Sequence, residues 1–448
     1  MPDNGNKTRP VRTLTVKNFS VIKEAKLEFG KITVLIGPQS SGKSLLCKLA
    51  YFLSKQAIED ARVAILSQPS SDQSQFEDFK TSLGRDFLAW FPLETWYNEG
   101  AIVAFESHAY RLQISAPKQF DNVDLRFSPK FEALFDSLVN QVQRIPAASA
   151  DSRRYVAEQV SAQFYLLLTE TFVDRPLYIP DGRAFFANQS LGFSAVNNPD
   201  IDPTIKEFSL EVSWGSARAP NPILGEDGVS LLHEINREIL RIAGGHVEGR
   251  NGAARFRRTL DGKSIPLSLL SSGTQAMLPM FNVLWRMITE QRERILFPRP
   301  DNLPGMPSQI IESHGLVYVE EPEANIFPRT QYDLIRLFAW LSSEWRLDFS
   351  WVITTHSPYI LTAFNDLIKA GNIAAQRPDK VAEIEKIVPS KYWIKPGDFA
   401  AYAFDGKDGV LHSIMDDETK MINGDTLDDI SEKISEEFGQ LLEIQYGD

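Results

Sequence analysis

The stretch Gly37-Pro38-Gln39-Ser40-Ser41-Gly42-Lys43-Ser44 decides the fold, because it stands between an apolar run and a helical pattern. Residues 32–36 predict a buried strand, and residues 45–49 predict the start of a helix. A Gly-x-x-x-x-Gly-Lys-Ser loop in this setting turns successive backbone N–H groups onto phosphate oxygens at the positive end of the helix. The alternative, an ordinary Gly/Ser turn, does not need the lysine. The stretch therefore predicts a site for a nucleoside triphosphate.

Two side chains of this loop have specific expected roles. Lys43 is expected to reach the β and γ phosphates, and Ser44 is expected to hold Mg²⁺. The predicted nucleotide-binding residues of the loop are Gly37, Pro38, Gln39, Ser40, Ser41, Gly42, Lys43, Ser44 and Leu45.

The composition describes a globular chain of 448 residues, with 43% hydrophobic and 24% charged residues. The polar start and the lack of any apolar run approaching membrane-span length predict a cytoplasmic protein with no membrane partner. The single cysteine, Cys47, excludes an internal disulfide and a cysteine-based metal site, and its position predicts a packed core thiol. A net charge of −12 gives no general attraction to a polyanion.

Two further stretches place polar residues at strand ends. Residues 316–319 form an apolar run that ends in Glu320 and Glu321. At the carboxyl end of a parallel strand, Glu320 is expected to bind Mg²⁺, and Glu321 is expected to orient the attacking water and accept its proton. His356 follows the predicted strand 351–354, where it can hydrogen-bond a γ phosphate or that water. The alternatives are a solvated acidic turn and a structural histidine.

Residues Ser271-Ser272-Gly273-Thr274-Gln275 open a predicted helix, which suggests a second anion site in the same chain. A plain N-cap and turn is the alternative. Residues Ser271, Ser272, Gly273 and Gln275 are therefore assigned as a second group of nucleotide-binding residues.

The order of predicted elements indicates an α/β fold with a mixed central sheet, an antiparallel β subdomain and a helical insertion. Residues 1–57 carry a β hairpin and the phosphate loop, residues 58–175 form a β and helical-hairpin insertion, and residues 176–448 complete the fold. The insertion should contain two helices, whose apolar stripes are Phe131, Leu134, Phe135, Leu138, Val142 and Ile145, then Val156, Val160, Phe164 and Leu167. A C-terminal acidic helix is expected to carry Leu427, Ile430, Ile434, Phe438 and Leu441 on one face.

In chain order these motifs resemble an ABC-type ATPase head of the SMC, RecF and OLD group, a P-loop NTPase fold. Residues 37–44 match Walker A, 271–275 look like the signature motif, 316–321 look like Walker B with its catalytic glutamate, and His356 matches the switch histidine. Segment 321–325 sits where the D-loop follows. The phrases Leu-Ser-Ser-Gly-Thr-Gln and Glu-Glu-Pro-Glu-Ala-Asn-Ile-Phe-Pro look closest to stand-alone OLD-like (AAA_15-type) ATPases.

The chain departs from the family pattern at three positions: Glu320 stands in place of aspartate, and Ser272 and Thr274 alter the signature. The longer carboxylate predicts slow turnover. Gln189 is a candidate for the Q-loop glutamine. Arg183 is expected to touch either the nucleotide or the backbone of the fold.

The resemblance implies an ATPase with ATP and Mg²⁺ as cofactors and Glu321, His356 and Lys43 as catalytic residues. It further implies a head-to-head homodimer, or a higher oligomer, in which the signature helix of one subunit caps ATP held by the other. The short tail after Pro358 favours regulation of a separate effector protein over a built-in nuclease, as in the ATPase subunit of PARIS-type anti-phage defence systems. Asp416, Asp417 and Glu418 read more readily as a solvated acidic loop than as a metal site.

Two other functions compete with this one. A RecF-like DNA maintenance ATPase would use the basic cluster Arg250, Arg255, Arg257, Arg258 and Lys263, whose alternative is a solvated hairpin. A GTPase or small-molecule kinase fits worst, because no Asn-Lys-x-Asp guanine motif is present.

Overall fold

The structure is a computed structural model. It describes residues 12–67, 74–107, 110–116, 123–143, 172–187, 201–214, 226–248, 255–296, 313–344, 347–405 and 408–423, with isolated positions at 437 and 440. Gln189, Arg250, the second helix of the predicted insertion pair and nearly all of the predicted C-terminal acidic helix lie outside the described residues.

A six-stranded sheet forms the centre of the molecule, in the order β14-β13-β3-β12-β11-β7. Strands β13, β3, β12, β11 and β7 run parallel, and β14 joins the edge antiparallel to β13. The strands are β3 (Ile32–Ile36), β7 (Phe172–Ile179), β11 (Ser313–Glu320), β12 (Phe349–Thr355), β13 (Phe399–Phe404) and β14 (Leu411–Ser413). The predicted α/β fold with a mixed central sheet is confirmed.

A five-stranded antiparallel sheet lies beside it, in the order β2-β1-β4-β5-β6. Its strands are β1 (Thr13–Phe19), β2 (Ile22–Glu28), β4 (Ile102–Ser107), β5 (Tyr110–Ser115) and β6 (Asp124–Phe127). The predicted N-terminal hairpin is β1 paired with β2, and β1 also pairs with β4 from the segment expected to be an insertion. The first two segments of the predicted division therefore share one sheet.

A small antiparallel sheet, β8 to β10, precedes the signature-like helix. Its strands are β8 (Gly245–Glu248), β9 (Arg255–Arg258) and β10 (Ser264–Pro266), in the order β10-β9-β8.

Helices cover both faces of the central sheet. The α-helices are α1 (Lys43–Tyr51), α2 (Ala57–Leu66), α3 (Gln75–Trp90), α4 (Pro129–Gln143), α5 (Pro203–Trp214), α6 (Glu226–Ala243), α7 (Ser272–Leu296), α8 (Pro328–Ser343), α9 (Pro358–Gln376) and α10 (Val381–Ile387). A π-helix, Phe52–Gln56, joins α1 to α2, and a 3₁₀ segment, Asp181–Ala187, follows β7. No helix among the described residues is long and apolar enough to cross a membrane.

The central sheet separates two hydrophobic cores, because successive side chains of a strand point to opposite faces. On β11, Val317 and Val319 face the core shared with α6 to α9, whereas Leu316 and Tyr318 face the core shared with α1 to α4. All seven residues of β12 are buried, as expected for the middle of a parallel sheet covered on both sides. Cys47 is fully buried in the second core, so the predicted core thiol is confirmed.

This arrangement brings the carboxyl ends of five strands to one edge. The phosphate loop follows β3, the paired glutamates end β11, His356 follows β12, and Arg183 follows β7. Ligands of open α/β sheets bind at this edge.

Candidate functional site

The phosphate loop depends on two glycines where space and backbone conformation allow no side chain. Gly42 has φ 104°, and a Cβ there would lie 2.8 Å from Cγ1 of Ile22. A Cβ on Gly37 would lie 2.7 Å from the carbonyl oxygen of Phe404, at the end of β13. The first helical hydrogen bond of α1 runs from the Leu46 amide to the Gly42 carbonyl at 2.8 Å. The amides of the first turn of α1 therefore point out of the helix at the end of the loop, as anion binding requires.

Lys43 folds back over the loop. Its ammonium donates to the carbonyls of Gly37 at 2.8 Å and Pro38 at 2.6 Å. Burial lowers the pKa of Lys43 to about 8, while the nearby carboxylates of Glu321 and Glu323 act in the opposite direction. Phosphate oxygens accept hydrogen bonds as these carbonyls do. They also carry a negative charge, which the carbonyls bonded to the Lys43 ammonium do not.

Glu320 is buried at the end of β11, and its Oε1 has no hydrogen-bond partner among the described residues. Burial raises the pKa of Glu320, and Lys48 and the hydroxyls of Tyr178 and Ser44 partly offset this rise. A buried carboxylate with an unmatched oxygen beside a serine hydroxyl is a donor set that fits Mg²⁺. Ser44 and Glu320, predicted from separate motifs, are thus neighbours.

Glu321 and His356 form a direct pair: Nε2 of His356 lies 3.1 Å from Oε1 of Glu321, and each side chain is 34% exposed. The contact is a hydrogen bond when the imidazole is neutral and an ion pair when it is protonated. Glu321 has φ 42°, in the left-handed region. Its amide donates to the Thr354 carbonyl at 2.9 Å, so the end of β12 fixes the start of this turn.

Arg183 is completely buried and contacts the backbone of the fold, which is one of its two predicted contacts. Nη1 donates to the carbonyl of Glu320 at 2.8 Å and of Pro180 at 3.1 Å, and Nη2 donates to the carbonyl of Glu321 at 2.8 Å. Burial lowers the pKa of Arg183 to about 10, against the opposing effect of the surrounding carboxylates.

Glu323 is a site residue that the sequence motifs did not single out. Its Oε1 accepts from the Thr355 hydroxyl at 2.6 Å and from the His356 amide at 2.7 Å. The same loop is fastened further along, where Gln331 donates to the Ile326 carbonyl at 3.0 Å and accepts from the Ser357 hydroxyl at 2.6 Å. In the sequence, Glu323 was marked only by its place in segment 321–325, two residues after Glu321.

The signature-like helix α7 begins beside this loop. A Cβ on Gly273 would lie 2.4 Å from the Asn325 carbonyl, so buried Gly273 allows the helix to touch the loop that follows Glu321. The Gln275 amide group donates inward to the carbonyl of Leu270 at 3.0 Å. Ser271 and Ser272 are exposed. Of the four predicted residues, the two serines are thus presented at the surface and the other two organise the helix start.

The arginines of the basic cluster on β9 form ion pairs and hydrogen bonds within their own hairpin. Arg257 lies 3.3 Å from Glu248, Arg258 pairs with Asp261 at 2.5 Å, and Arg255 donates to the Ser264 carbonyl at 2.7 Å. These contacts match the solvated-hairpin interpretation. Asp416 likewise accepts from the amide and hydroxyl of Thr419, each at 2.6 Å, as a surface turn does.

The electrostatic surroundings extend to α5. Lys48 on α1 pairs with Asp202 at 2.5 Å and also lies near Glu320, and Lys55 in the π-helix pairs with Glu207. Arg286 on α7 pairs with Glu211. Helix α5 and the residue that precedes it, Asp202, therefore have ion pairs to α1, to the π-helix and to the signature-like helix.

Residues 197–361 match a protein-family model, AAA_15, described as an AAA ATPase domain. The match includes Gly273, Glu320, Glu321 and His356, and the phosphate loop lies outside it. This part of the chain is therefore similar to an AAA ATPase domain. No curated protein matches the chain.

The chain is also similar to solved SMC head structures. The SMC head domain from Thermotoga maritima shares 14% identity, covering 91% of this chain and 98% of that one, with a TM-score of 0.36. An SMC head bound to the C-winged helix domain of ScpA shares 10% identity, covering 90% and 96%, with a TM-score of 0.39. An Smc head with an extended coiled coil, bound to the C-terminal domain of ScpA derived from Pyrococcus furiosus, shares 12% identity, covering 90% and 95%, with a TM-score of 0.33. These TM-scores are too low to assign a fold or a role to this chain. The architecture is shown by the order of strands in the sheets, and the similarity to an ATPase domain is shown by the family match.

Proposed function

We propose that this protein is a cytoplasmic ABC-type ATPase that binds and hydrolyses ATP, dimerises around it, and regulates a separate effector protein. One observation carries the ATPase part: Lys43, the Ser44–Glu320 pair and the Glu321–His356 pair meet at the carboxyl edge of one parallel sheet. The ATPase family match supports the same conclusion.

Each residue then has a distinct task in hydrolysis. The loop amides and the Lys43 ammonium hold the triphosphate, and Ser44 with Glu320 would hold Mg²⁺, which supplies positive charge at the β and γ phosphates when bound. Glu321 would orient the attacking water and accept its proton, and His356 holds that carboxylate through Nε2. A hydrogen bond from His356 to the γ phosphate is its further expected role. Glu323 holds the His356 backbone.

The proposed dimer is supported by exposed groups beside each motif. Leu269 next to the signature, Phe327 after the glutamate loop and Tyr359 after His356 are 72%, 75% and 57% exposed. Gly273 packs on the loop that leads to Phe327, and Ser357 is tied to that loop through Gln331. A second copy would cover these exposed apolar side chains if exposed Ser271 and Ser272 reach the ATP that it holds.

The experiment compares three variants. Glu321→Gln should lower ATP hydrolysis by about 100-fold or more while a nucleotide-bound dimer accumulates in light scattering. Lys43→Ala should lose ATP binding and form no dimer. Glu383→Gln, an exposed glutamate of α10 paired with Lys380, is the matched control and should behave as the unaltered protein. Unchanged and equal oligomer distributions for the first two variants would contradict the proposed clamp.

The effector and the role in bacterial anti-phage defence rest on the resemblance to stand-alone OLD-like ATPases. Expression from the native operon should give co-purification of a neighbouring gene product, released by ATP turnover and retained by Glu321→Gln. Purification of the chain alone under these conditions would argue against an effector.

A further inference from the structure

Arg183 is the largest charged side chain among the fully buried residues that the structure describes, and its guanidinium donates to backbone carbonyls outside the phosphate loop. Burying a guanidinium costs several kcal/mol unless its donors are matched. Here Nη1 and Nη2 donate to backbone carbonyls, two of which belong to Glu320 and Glu321, whereas Nε has no partner among the described residues. The cost of burying the guanidinium is therefore partly offset, and the offsetting contacts are made to residues of the proposed site.

The turn that Arg183 holds has an unfavourable conformation. A left-handed backbone costs a residue with a Cβ about 1–2 kcal/mol, and Glu321 adopts it at φ 42°. The Glu321 amide is held by Thr354, through the carbonyl at 2.9 Å and the hydroxyl at 3.3 Å, and its carbonyl is held by Arg183. Both ends of this residue are thus fixed, which aims its carboxylate at His356.

The segment that carries Arg183 also touches the signature-like helix. Asp181–Ala187 packs against α7, and Phe186 lies in the same core cluster as Met277 and Phe281. Arg183 therefore connects the turn at Glu321 to helix α7, which is the element proposed to reach the second copy.

We propose that Arg183 is a positioning residue for hydrolysis: it holds Glu321 in the left-handed conformation that directs its carboxylate to the attacking water, without itself binding the nucleotide. This inference rests on the proposed ATPase function. Such a residue affects the chemical step and leaves ground-state binding of ATP at the phosphate loop unchanged.

Arg183→Lys is the informative variant, because lysine keeps the charge but cannot donate in a fork to two carbonyls. A misplacement of about 1 Å costs roughly 100-fold in rate, so kcat should fall by at least about tenfold. The dissociation constant of a fluorescent ATP analogue should change by less than about threefold, as expected for an interaction that is not used in ground-state binding. Phe338→Leu, in the core beneath β12, is the control for general destabilisation and should retain kcat in its folded fraction.

Thr354→Val provides a second variant with nearly the same shape, which removes only the hydroxyl that supports the Glu321 amide. It should lower kcat a few-fold with unchanged ATP affinity, and its effect should not add to that of Arg183→Lys, since both act on one turn. Full kcat in folded Arg183→Lys, or a parallel loss of ATP binding, overturns the proposal; if Arg183→Lys is insoluble, unchanged kcat in Thr354→Val does so. Absence of hydrolysis in the unaltered protein instead overturns the ATPase function itself.

Discussion

At the scale of single residues, the positive charge of Lys43 is hydrogen-bonded to neutral groups. Lys43 is buried with its ammonium on neutral carbonyls, and burial alone accounts for the fall of its pKa to about 8. The protonated form binds phosphate, and the neutral form does not. Nucleotide binding should therefore draw a proton onto Lys43 when the pH is above its pKa.

We predict that ATP affinity is nearly constant below about pH 8 and falls above it, by up to tenfold per pH unit. The sign follows because the anion raises the pKa of Lys43, so binding above pH 8 must include the cost of protonation. Titration of a fluorescent ATP analogue between about pH 7 and about pH 9.5 measures this. Lys43→Arg, which stays charged throughout, should show a flat profile; the same slope in that variant would assign the effect to another group.

The residues of the site divide into those that the sequence could predict and those it could not. Lys43, Ser44, Glu320, Glu321 and His356 each follow a strand or open a helix, where residue type and position together predict chemistry, and the structure places them at one edge. Their roles in binding and catalysis remain predictions. For Arg183 the sequence left two contacts open, the nucleotide or the backbone of the fold, and Glu323 was included only as part of segment 321–325. Both residues act mainly on backbone amides and carbonyls, which carry no residue-specific pattern.

At the scale of secondary structure, hydrophobic periodicity predicted most elements correctly. The strands at 32–36, 316–319 and 351–354 and the helix opened by residues 271–275 all lie where expected. The π-helix Phe52–Gln56 was not predicted, because its apolar pattern does not differ from that of the α-helices on either side. Hydrophobic periodicity also does not predict which distant strands pair. Strand β13 pairs with β3 although more than 360 residues separate them in the chain.

The start of α7 provides a prediction at this scale. Gly273→Ala places a methyl group 2.4 Å from the Asn325 carbonyl, so either the helix or the loop must move. We expect ATP-dependent dimerisation to be lost while ATP affinity at the phosphate loop stays within about threefold, since overpacking of this kind costs roughly 1–3 kcal/mol locally. Light scattering and a nucleotide-binding titration separate the two effects. Thr274→Ala, one position further along the same helix turn, is the control and should retain the dimer; dimerisation of Gly273→Ala at normal ATP concentrations would contradict the prediction.

At the scale of the whole molecule, charge opposes self-association. Each chain carries a net charge of −12, so two copies repel each other at long range, most strongly at low salt. Binding of DNA through arginines would have the opposite dependence, because low salt strengthens it. Arg257 and Arg258 of β9 are paired within their own hairpin, so they add little to attract a polyanion.

We therefore predict that added salt strengthens the ATP-dependent dimer. Raising the ionic strength from about 0.01 M to about 0.15 M shortens the screening length from about 30 Å to about 8 Å, which weakens the repulsion while leaving apolar contacts in place. Mass photometry of Glu321→Gln with ATP across this range should show a growing dimer fraction, and Lys43→Ala should stay monomeric throughout. A dimer that dissociates steadily with salt would instead indicate an interface held by opposite charges.

The position of β13 decides how small a working fragment can be. This strand lies beyond the end of the ATPase family match at residue 361, yet it borders β3 and its Phe404 carbonyl abuts Gly37. A protein shortened to the motif-bearing region would leave the nucleotide strand as an open sheet margin with unpaired amides, which favours insoluble association of neighbouring molecules. Truncations intended for crystallisation or for partner mapping must therefore extend at least through Phe404.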